Sequence, residues 1–141
     1  MKNILIVDDN KDILAVLAAD LNRCLKGCMI MTAQSGREGA DILSRVPVDL
    51  VVTDLDMPTM NGYQFIKEAR IRRPEVSVCV MTGLDCREAA EQLLPLGPSR
   101  MIEKPFHVER LATVIREELG MPENPSDQDM AGPVGCKDAP C

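Results

Sequence analysis

Residues 48 to 54 read Val48-Asp49-Leu50-Val51-Val52-Thr53-Asp54, an apolar run that ends in a carboxylate. A second run near the start, Ile4-Leu5-Ile6-Val7, ends in the acidic pair Asp8-Asp9. Short runs rich in valine and isoleucine are typical of strands that are buried on both faces of a sheet. Carboxylates at the ends of two such strands indicate a cation site with a nucleophile beside it.

The apolar runs alternate along the chain with segments of helical periodicity. The leucines between Leu14 and Leu25 form one apolar stripe with a period near 3.6 residues, and Val108 to Leu119 carry another. Strands that alternate with helices predict a parallel sheet covered on both faces. The predicted strands are Asn3–Val7, Met29–Thr32, Leu50–Asp54, Val76–Met81 and Arg100–Glu103.

Capping residues mark the starts of three further helices. Ser35-Gly36-Arg37-Glu38 has the pattern of a capping box, and Asp85-Cys86-Arg87-Glu88 is an aspartate-led variant of it. Asn61 is a candidate cap for a helix that ends before Pro74. The sequence therefore predicts five strands and five helices.

The length and charge of the chain limit its function. With 141 residues, a net charge of −6 and a sequence pI of about 4.8, we expect one domain with no broad basic surface for nucleic acid. No apolar run has the length of a membrane span, so we expect no membrane partner and a cytoplasmic location. Residues 1–119 form the predicted domain, and residues 120–141, rich in Pro, Gly and Asp, a flexible tail or linker stub.

The six cysteines do not form a recognisable framework. None belongs to a Cys-x-x-Cys pair, which weakens the case for a zinc site or a set of disulfides. Cys79 lies inside an apolar run and is predicted to be a small core residue, whereas Cys136 and Cys141 are expected to be free thiols in the tail.

Ligands of open α/β sheets bind at the carboxyl ends of the strands. If the first and third strands are neighbours, Asp8, Asp9 and Asp54 converge there, and a cation must offset their mutual repulsion. A donor set of oxygens alone suits Mg²⁺. Two further strands end in Thr82 and Lys104, a hydroxyl and an ammonium. A carboxylate surrounded by these groups is equipped to accept a phosphoryl group.

These motifs together resemble the receiver domain of two-component response regulators, of the chemotaxis-regulator kind. The motifs are Val7-Asp8-Asp9, the segment from Asp54 to Gly62, Thr82-Gly83 and Lys104-Pro105-Phe106, and the match runs from Lys2 to about Leu119. The resemblance implies a flavodoxin-like three-layer α/β fold, with a five-stranded parallel sheet in the order 2-1-3-4-5 and five helices.

The resemblance also implies a role for each site residue. Asp54 is the expected phosphoacceptor, with Thr82 and Lys104 contacting the phosphoryl group. Mg²⁺ is expected on Asp8, Asp9 and Asp54 and on the backbone carbonyl of Asp56. Lys104 is expected to be joined to Pro105 by a cis peptide bond.

Met101 is the main departure from the family pattern. Receivers usually carry Tyr or Phe three residues before the lysine, and that aromatic side chain moves inward when the domain is phosphorylated. A flexible thioether is expected to give a weaker directional signal. Asp56, Leu84 and Pro105 are further positions expected to modulate the switch.

The predicted function is a phosphorylation-activated switch rather than an enzyme with an external substrate. A histidine kinase or phosphotransfer protein is the expected donor. The expected output is a downstream protein bound to the face of the fourth helix, fifth strand and fifth helix, or a homodimer, and the chain is either a stand-alone receiver or part of a longer regulator.

Two alternatives stay open from the sequence. Asp54-Leu55-Asp56 also resembles the Asp-x-Asp motif of haloacid-dehalogenase-like phosphatases, although their metal-binding acidic pair comes late in the chain rather than first. The other alternative is a receiver-fold interaction module that phosphate does not control. The intact Asp54, Thr82 and Lys104 set argues against that module.

Overall fold

The computed structural model describes residues 2–55, 62–83, 95, 97 and 100–121. The strands form one parallel sheet in the order β2-β1-β3-β4-β5, which confirms the predicted strand order and the α/β class. The strands are β1 (Lys2–Val7), β2 (Cys28–Ala33), β3 (Leu50–Asp54), β4 (Ser77–Thr82) and β5 (Arg100–Glu103).

Four helices lie within the described residues. They are α1 (Lys11–Cys24), α2 (Gly36–Arg45), α3 (Gly62–Arg72) and α4 (Val108–Leu119). The helix predicted to begin at Asp85 and the cap predicted at Asn61 lie outside the described residues. Here, α4 therefore corresponds to the fifth helix of the sequence prediction.

Two helix ends show how the capping residues fix the limits of the helices. Ser35 Oγ accepts a hydrogen bond of 3.1 Å from the amide of Glu38, as the capping box predicts. The carboxylate of Glu38 accepts a hydrogen bond from the amide of Gln34 instead of that of Ser35. Helix α4 ends at Gly120, whose left-handed φ of 66° is a conformation that glycine adopts without steric cost.

The predicted strand limits differ from the observed ones by one residue at the start of β1 and by one residue at both ends of β2 and β4. Strand β2 gains Cys28 and Ala33 because both pair with β1, opposite Lys2 and Val7. Val76 is excluded from β4 because its amide closes a turn onto the carbonyl of Arg73 at 3.0 Å. Apolar content alone does not distinguish such a turn residue from the strand that follows it.

The sheet separates two apolar layers. Alternate residues of β1 point to opposite faces, so that Leu5 and Val7 pack towards α2 and α3, and Ile4 and Ile6 towards α1 and α4. Cys79 is fully buried in the α1/α4 layer, which confirms it as a core residue, and its burial raises the pKa of its thiol to about 12. Within the described residues, no helix combines the length and hydropathy that a membrane crossing requires.

The first residue of α3 lies directly against the end of β3. The amide of Gly62 donates to the carbonyl of Leu55 at 2.9 Å. A Cβ atom at position 62 would lie 2.5 Å from the carbonyl oxygen of Asp54 and 2.5 Å from the Cα atom of Leu55. Only glycine allows the helix to approach the strand end this closely.

Gly62→Ala should therefore destabilise the protein by about 1–3 kcal/mol, the usual cost of forcing an extra carbon into a packed site. The measurement is the free energy of unfolding in urea. Gly83→Ala is the matched control, because a Cβ atom there meets no atom of the described residues within 4 Å. Equal stabilities for the two variants would contradict the close approach.

Candidate functional site

The candidate site lies at the carboxyl ends of β1 and β3, which are neighbours in the sheet. The register places Val7 opposite Thr53, so the next residues, Asp8 and Asp54, emerge side by side. One carboxylate oxygen of each of Asp8, Asp9 and Asp54 lies within 4.8 Å of the other two. The structure therefore brings the three predicted acidic residues together.

The three carboxylates differ in exposure and in hydrogen bonding. Asp8 is 1% exposed and Asp54 5%, whereas Asp9 is open to solvent. Asp8 Oδ1 accepts a bond of 3.0 Å from the amide of Asn10. Asp8 Oδ2 is buried and has no hydrogen-bond partner among the described residues. A buried carboxylate oxygen without a partner is costly, so this atom needs a further ligand.

The electrostatics of Asp8 reflect this environment. Burial is the main cause that raises the pKa of Asp8 above its ordinary value, and the negative charge of Asp54 and a hydrogen bond with Asp9 raise it further. The amide of Asn10 and the charge of Lys104 act in the opposite direction. The net effect is that the ionised form of Asp8 is disfavoured in the folded protein.

Lys104 provides the cation that faces the acidic cluster. Its Nζ lies 3.0 Å from Asp54 Oδ2. The lysine is held there by its backbone, because its amide donates to the carbonyl of Thr82 at 2.7 Å. The bond between Lys104 and Pro105 is cis, as the resemblance implies.

Thr82 is the last residue of β4 and is 1% exposed. Its predecessor Met81 pairs with Asp54 across the sheet, which places Thr82 one position beyond the acidic residue, at the same edge. Thr82 pairs in turn with Glu103, the residue before Lys104. The ends of β1, β3, β4 and β5 thus contribute all five predicted side chains, Asp8, Asp9, Asp54, Thr82 and Lys104, to one edge of the sheet.

The modulating positions are described in part. Met101 is half-buried on β5, opposite Val80, and packs against the apolar layer beneath α2 and α3. Asp56 and Leu84 lie outside the described residues. The departure at Met101 therefore occurs at the margin of the apolar core, where the side chain is partly exposed.

Two contributors at the site were not predicted from the sequence. Asn10 is the N-cap of α1, and its side-chain oxygen accepts bonds from the amides of Asp12 and Ile13 at 2.9 and 3.1 Å. Its own amide orients Asp8. Thr53 Oγ1 donates to the carbonyl of Asp54 at 3.0 Å within the core. An asparagine placed directly before an amphipathic stripe is the available signal for the first of these.

The donor set fits a hard divalent cation. Its members are carboxylate oxygens, with no sulfur or imidazole ligand among the described residues of the cluster. A positive charge near Asp8 Oδ2 would satisfy the buried oxygen and offset the repulsion between the carboxylates.

Residues 4–116 match the model of the response regulator receiver domain. The chain belongs to this family. The membership favours the receiver interpretation over the haloacid-dehalogenase-like phosphatase. Receiver domains are the signal-accepting modules of two-component systems, and they generally bind Mg²⁺ at an aspartate cluster such as the one formed here by Asp8, Asp9 and Asp54.

Two relatives have greater length than this chain. The protein-glutamate methylesterase/protein-glutamine glutaminase of Treponema pallidum is 33% identical, over 81% of this chain and 29% of that protein. The response regulator SaeR of Staphylococcus aureus is 29% identical, over 84% of this chain and 51% of that protein. The chain thus spans about half or less of these relatives.

Solved structures of receivers have the same fold. A CheY-like receiver domain protein of Methanospirillum hungatei is 26% identical with a TM-score of 0.77, over 94% of this chain and 99% of that one. The beryllofluoride-activated receiver domain dimer of NtrC4 is 31% identical with a TM-score of 0.76, over 85% of this chain and 98% of that one.

The raised pKa of Asp8 predicts a dependence of stability on pH in metal-free buffer. The folded state binds the Asp8 proton more tightly than the unfolded state does, so this group lowers stability as the pH rises above about 4, the ordinary pKa of an aspartate. Asp8→Asn has no carboxyl group at this position and so avoids this loss of stability. Its free energy of unfolding, relative to that of the wild type, should therefore increase with pH.

The measurement is urea unfolding in the presence of a chelator at several pH values from about 4 upwards. Asp41→Asn, on the exposed face of α2, is the control and should leave the wild-type slope unchanged. The prediction is contradicted if the difference in the free energy of unfolding between Asp8→Asn and the wild type stays constant or decreases with pH.

Proposed function

We propose that this chain is a phosphorylation-controlled switch in which Asp54 accepts a phosphoryl group from a histidine kinase or a phosphotransfer protein. The single observation that carries the proposal is the contact of Lys104 Nζ with Asp54 Oδ2 at 3.0 Å, beside two further carboxylates. Family membership supports the same function. We place this exchange in the cytoplasm and assign the receiver to residues 1–119, with residues 120–141 as a tail.

The proposed chemistry is a single transfer. A carboxylate oxygen of Asp54 attacks phosphorus, the bond from phosphorus to the histidine nitrogen of the donor breaks, and its electron pair stays with the donor. Lys104 is positioned to neutralise one phosphoryl oxygen, since it already contacts the accepting carboxylate. Thr82, at the end of β4, supplies a hydroxyl to another oxygen. Hydrolysis of the acyl phosphate later restores Asp54.

Mg²⁺ is the proposed cofactor of this site. Asp8, Asp9 and Asp54 would hold it, with Asp8 Oδ2 as the buried oxygen that lacks another partner among the described residues, and the carbonyl of Asp56 as a family-based fourth ligand. When bound, Mg²⁺ supplies positive charge to the transferring phosphoryl group. Asn10 contributes by fixing the orientation of Asp8 through its amide.

The proposed output surface is the one formed by β5, α4 and the predicted helix that begins at Asp85. Met101 lies on β5, in contact with the core, where it can follow a movement of Thr82 through the paired strands β4 and β5. A downstream protein or a second copy of the chain is the proposed partner. The NtrC4 receiver, which is similar to this chain, is a dimer when activated by beryllofluoride.

The test is intact-mass analysis of the chain after incubation with acetyl phosphate and Mg²⁺. We expect one phosphoryl adduct on the wild type, none on Asp54→Asn, and none when a chelator removes the metal. Asp41→Asn is the matched control, because it removes an exposed carboxylate of α2 and should leave the adduct intact.

The outcomes separate the three functions. No adduct on the wild type would support the interaction module, and an adduct on Asp54→Asn would place the acceptor elsewhere. Continuous release of phosphate from many phosphate esters, at a rate far above the decay of the adduct, would support the phosphatase.

Lys104→Met should slow formation of the adduct but not abolish it, because the substitution removes the neutralising charge and leaves the acceptor Asp54 in place.

A further inference from the structure

Two sulfur-containing side chains from distant parts of the chain meet near the end of α1 that lies away from the acidic cluster, and α1 itself ends in a third, Cys24. Cys28 opens β2, and its Sγ lies 3.7 Å from Sδ of Met121, which follows α4 and is 93 positions later in the chain. Cys24 is the last residue of α1. Both cysteines carry reduced thiols.

The fold explains why Cys24 and Cys28 lie on the same apolar layer. Gly27, with a φ of 83°, turns the chain between α1 and β2, and its carbonyl accepts from the amide of Lys2, the residue opposite Cys28. Cys28 therefore enters β2 directly after the turn. Both Cys24 and Cys28 are half-buried and pack against the apolar layer between the sheet and helices α1 and α4.

Arg116 holds the remaining parts of this region in place. It is 6% exposed, and its Nη1 donates to the carbonyl of Cys24 at 3.2 Å. Its own carbonyl accepts from the amide of Met121 at 2.9 Å. A single buried residue thus connects the end of α1 to the residue whose sulfur contacts Cys28, and it brings a permanent positive charge to the site.

We propose that Cys24, Cys28 and Met121 form a binding site for a soft monovalent metal ion, Cu(I). Thiolate and thioether sulfurs are the ligands that select Cu(I) in proteins. On binding, each cysteine releases one proton to solvent, and the two thiolates, the neutral thioether and Cu(I) together carry one negative charge. The guanidinium of Arg116 offsets that charge.

The surroundings of Cys28 keep its thiol protonated in the metal-free protein. Burial is the main cause that raises the pKa of the Cys28 thiol, and Asp49 adds to it, while Lys2 and Arg116 lower it. A thiol of raised pKa is a poor nucleophile towards oxidants. A metal ion also binds the thiolate, so Cu(I) must displace this proton when it binds.

The proposed site is separate from the aspartate cluster. Helix α1 has 14 residues and begins at Lys11, immediately after Asn10, so its two ends lie about 20 Å apart. The carboxylate site suits a hard divalent cation and the sulfur site a soft monovalent one. An excess of Mg²⁺ should therefore leave the binding of Cu(I) unchanged.

The test is an anaerobic competition for Cu(I) between the full 141-residue chain and bicinchoninate, whose copper complex is coloured. Cys86, Cys136 and Cys141 are replaced with serine in all samples, so that the described cysteines are compared without them. We expect this background chain to remove one Cu(I) per molecule from the indicator. Cys28→Ser or Cys24→Ser should weaken binding by more than about 100-fold, which exceeds the usual effect of altering a residue that only hydrogen-bonds to a metal ligand.

Two matched variants serve as controls. Met121→Leu should weaken binding, whereas Met29→Leu, which alters an exposed methionine next to Cys28, should not. Cys79→Ala should also retain the ion. A background chain that leaves the copper with the indicator, or a Cys28→Ser variant that binds as tightly as the background, would overturn the proposal.

A second measurement does not depend on the folding of the cysteine variants. In the background chain with ¹³C-labelled methionine methyl groups, one equivalent of Cu(I) should shift the Met121 methyl signal, assigned through Met121→Leu. The Met29 signal should stay in place. A stationary Met121 signal at full occupancy would remove the thioether from the site and overturn the proposal.

Discussion

The parallel pairing of β1 with β3 is the constraint on which the site depends. It places Asp8 and Asp54 side by side, nearly without solvent, where their negative charges raise the free energy of the folded state. The neighbouring elements offset part of this cost: the amide of Asn10 binds Asp8, and the ammonium of Lys104 contacts Asp54. One oxygen of Asp8 lacks a partner among the described residues, so the arrangement is best completed by a cation. The closeness and burial of the two carboxylates, which destabilise the metal-free protein, therefore favour the binding of a metal ion and a phosphoryl group.

Much of the fold could be predicted because its strands are buried on both faces. Such strands appear as uninterrupted apolar runs, and the run that ends at Asp54 has the observed limits of β3. The ends of β2 and β4 were harder to predict, since they depend on hydrogen-bond partners outside the apolar runs themselves. Cys28 joins β2 only because Lys2 lies opposite it, and Val76 leaves β4 only because Arg73 binds its amide.

The candidate site was predictable at the level of residue types and less so at the level of contacts. Carboxylates at the ends of two strands, with Thr82 and Lys104 after two others, indicate convergence once a parallel sheet is assumed. The order of the strands came from the resemblance, because periodicity does not determine which strands are neighbours. The support that Asn10 gives to Asp8 and the sulfur contact of Cys28 with Met121 depend on three-dimensional packing, and no spacing in the sequence shows them.

Asp54 is the proposed acceptor at a site that Asp8, Asp9 and Lys104 complete. A crystal structure of the chain with Mg²⁺ and beryllofluoride, a mimic of the phosphoryl group, tests this assignment most directly. We expect beryllium on a carboxylate oxygen of Asp54, Lys104 Nζ on a fluorine, and Mg²⁺ about 2.1 Å from oxygens of the aspartate cluster. Beryllofluoride on another residue, or a metal ion bound away from Asp8 and Asp54, would contradict the account.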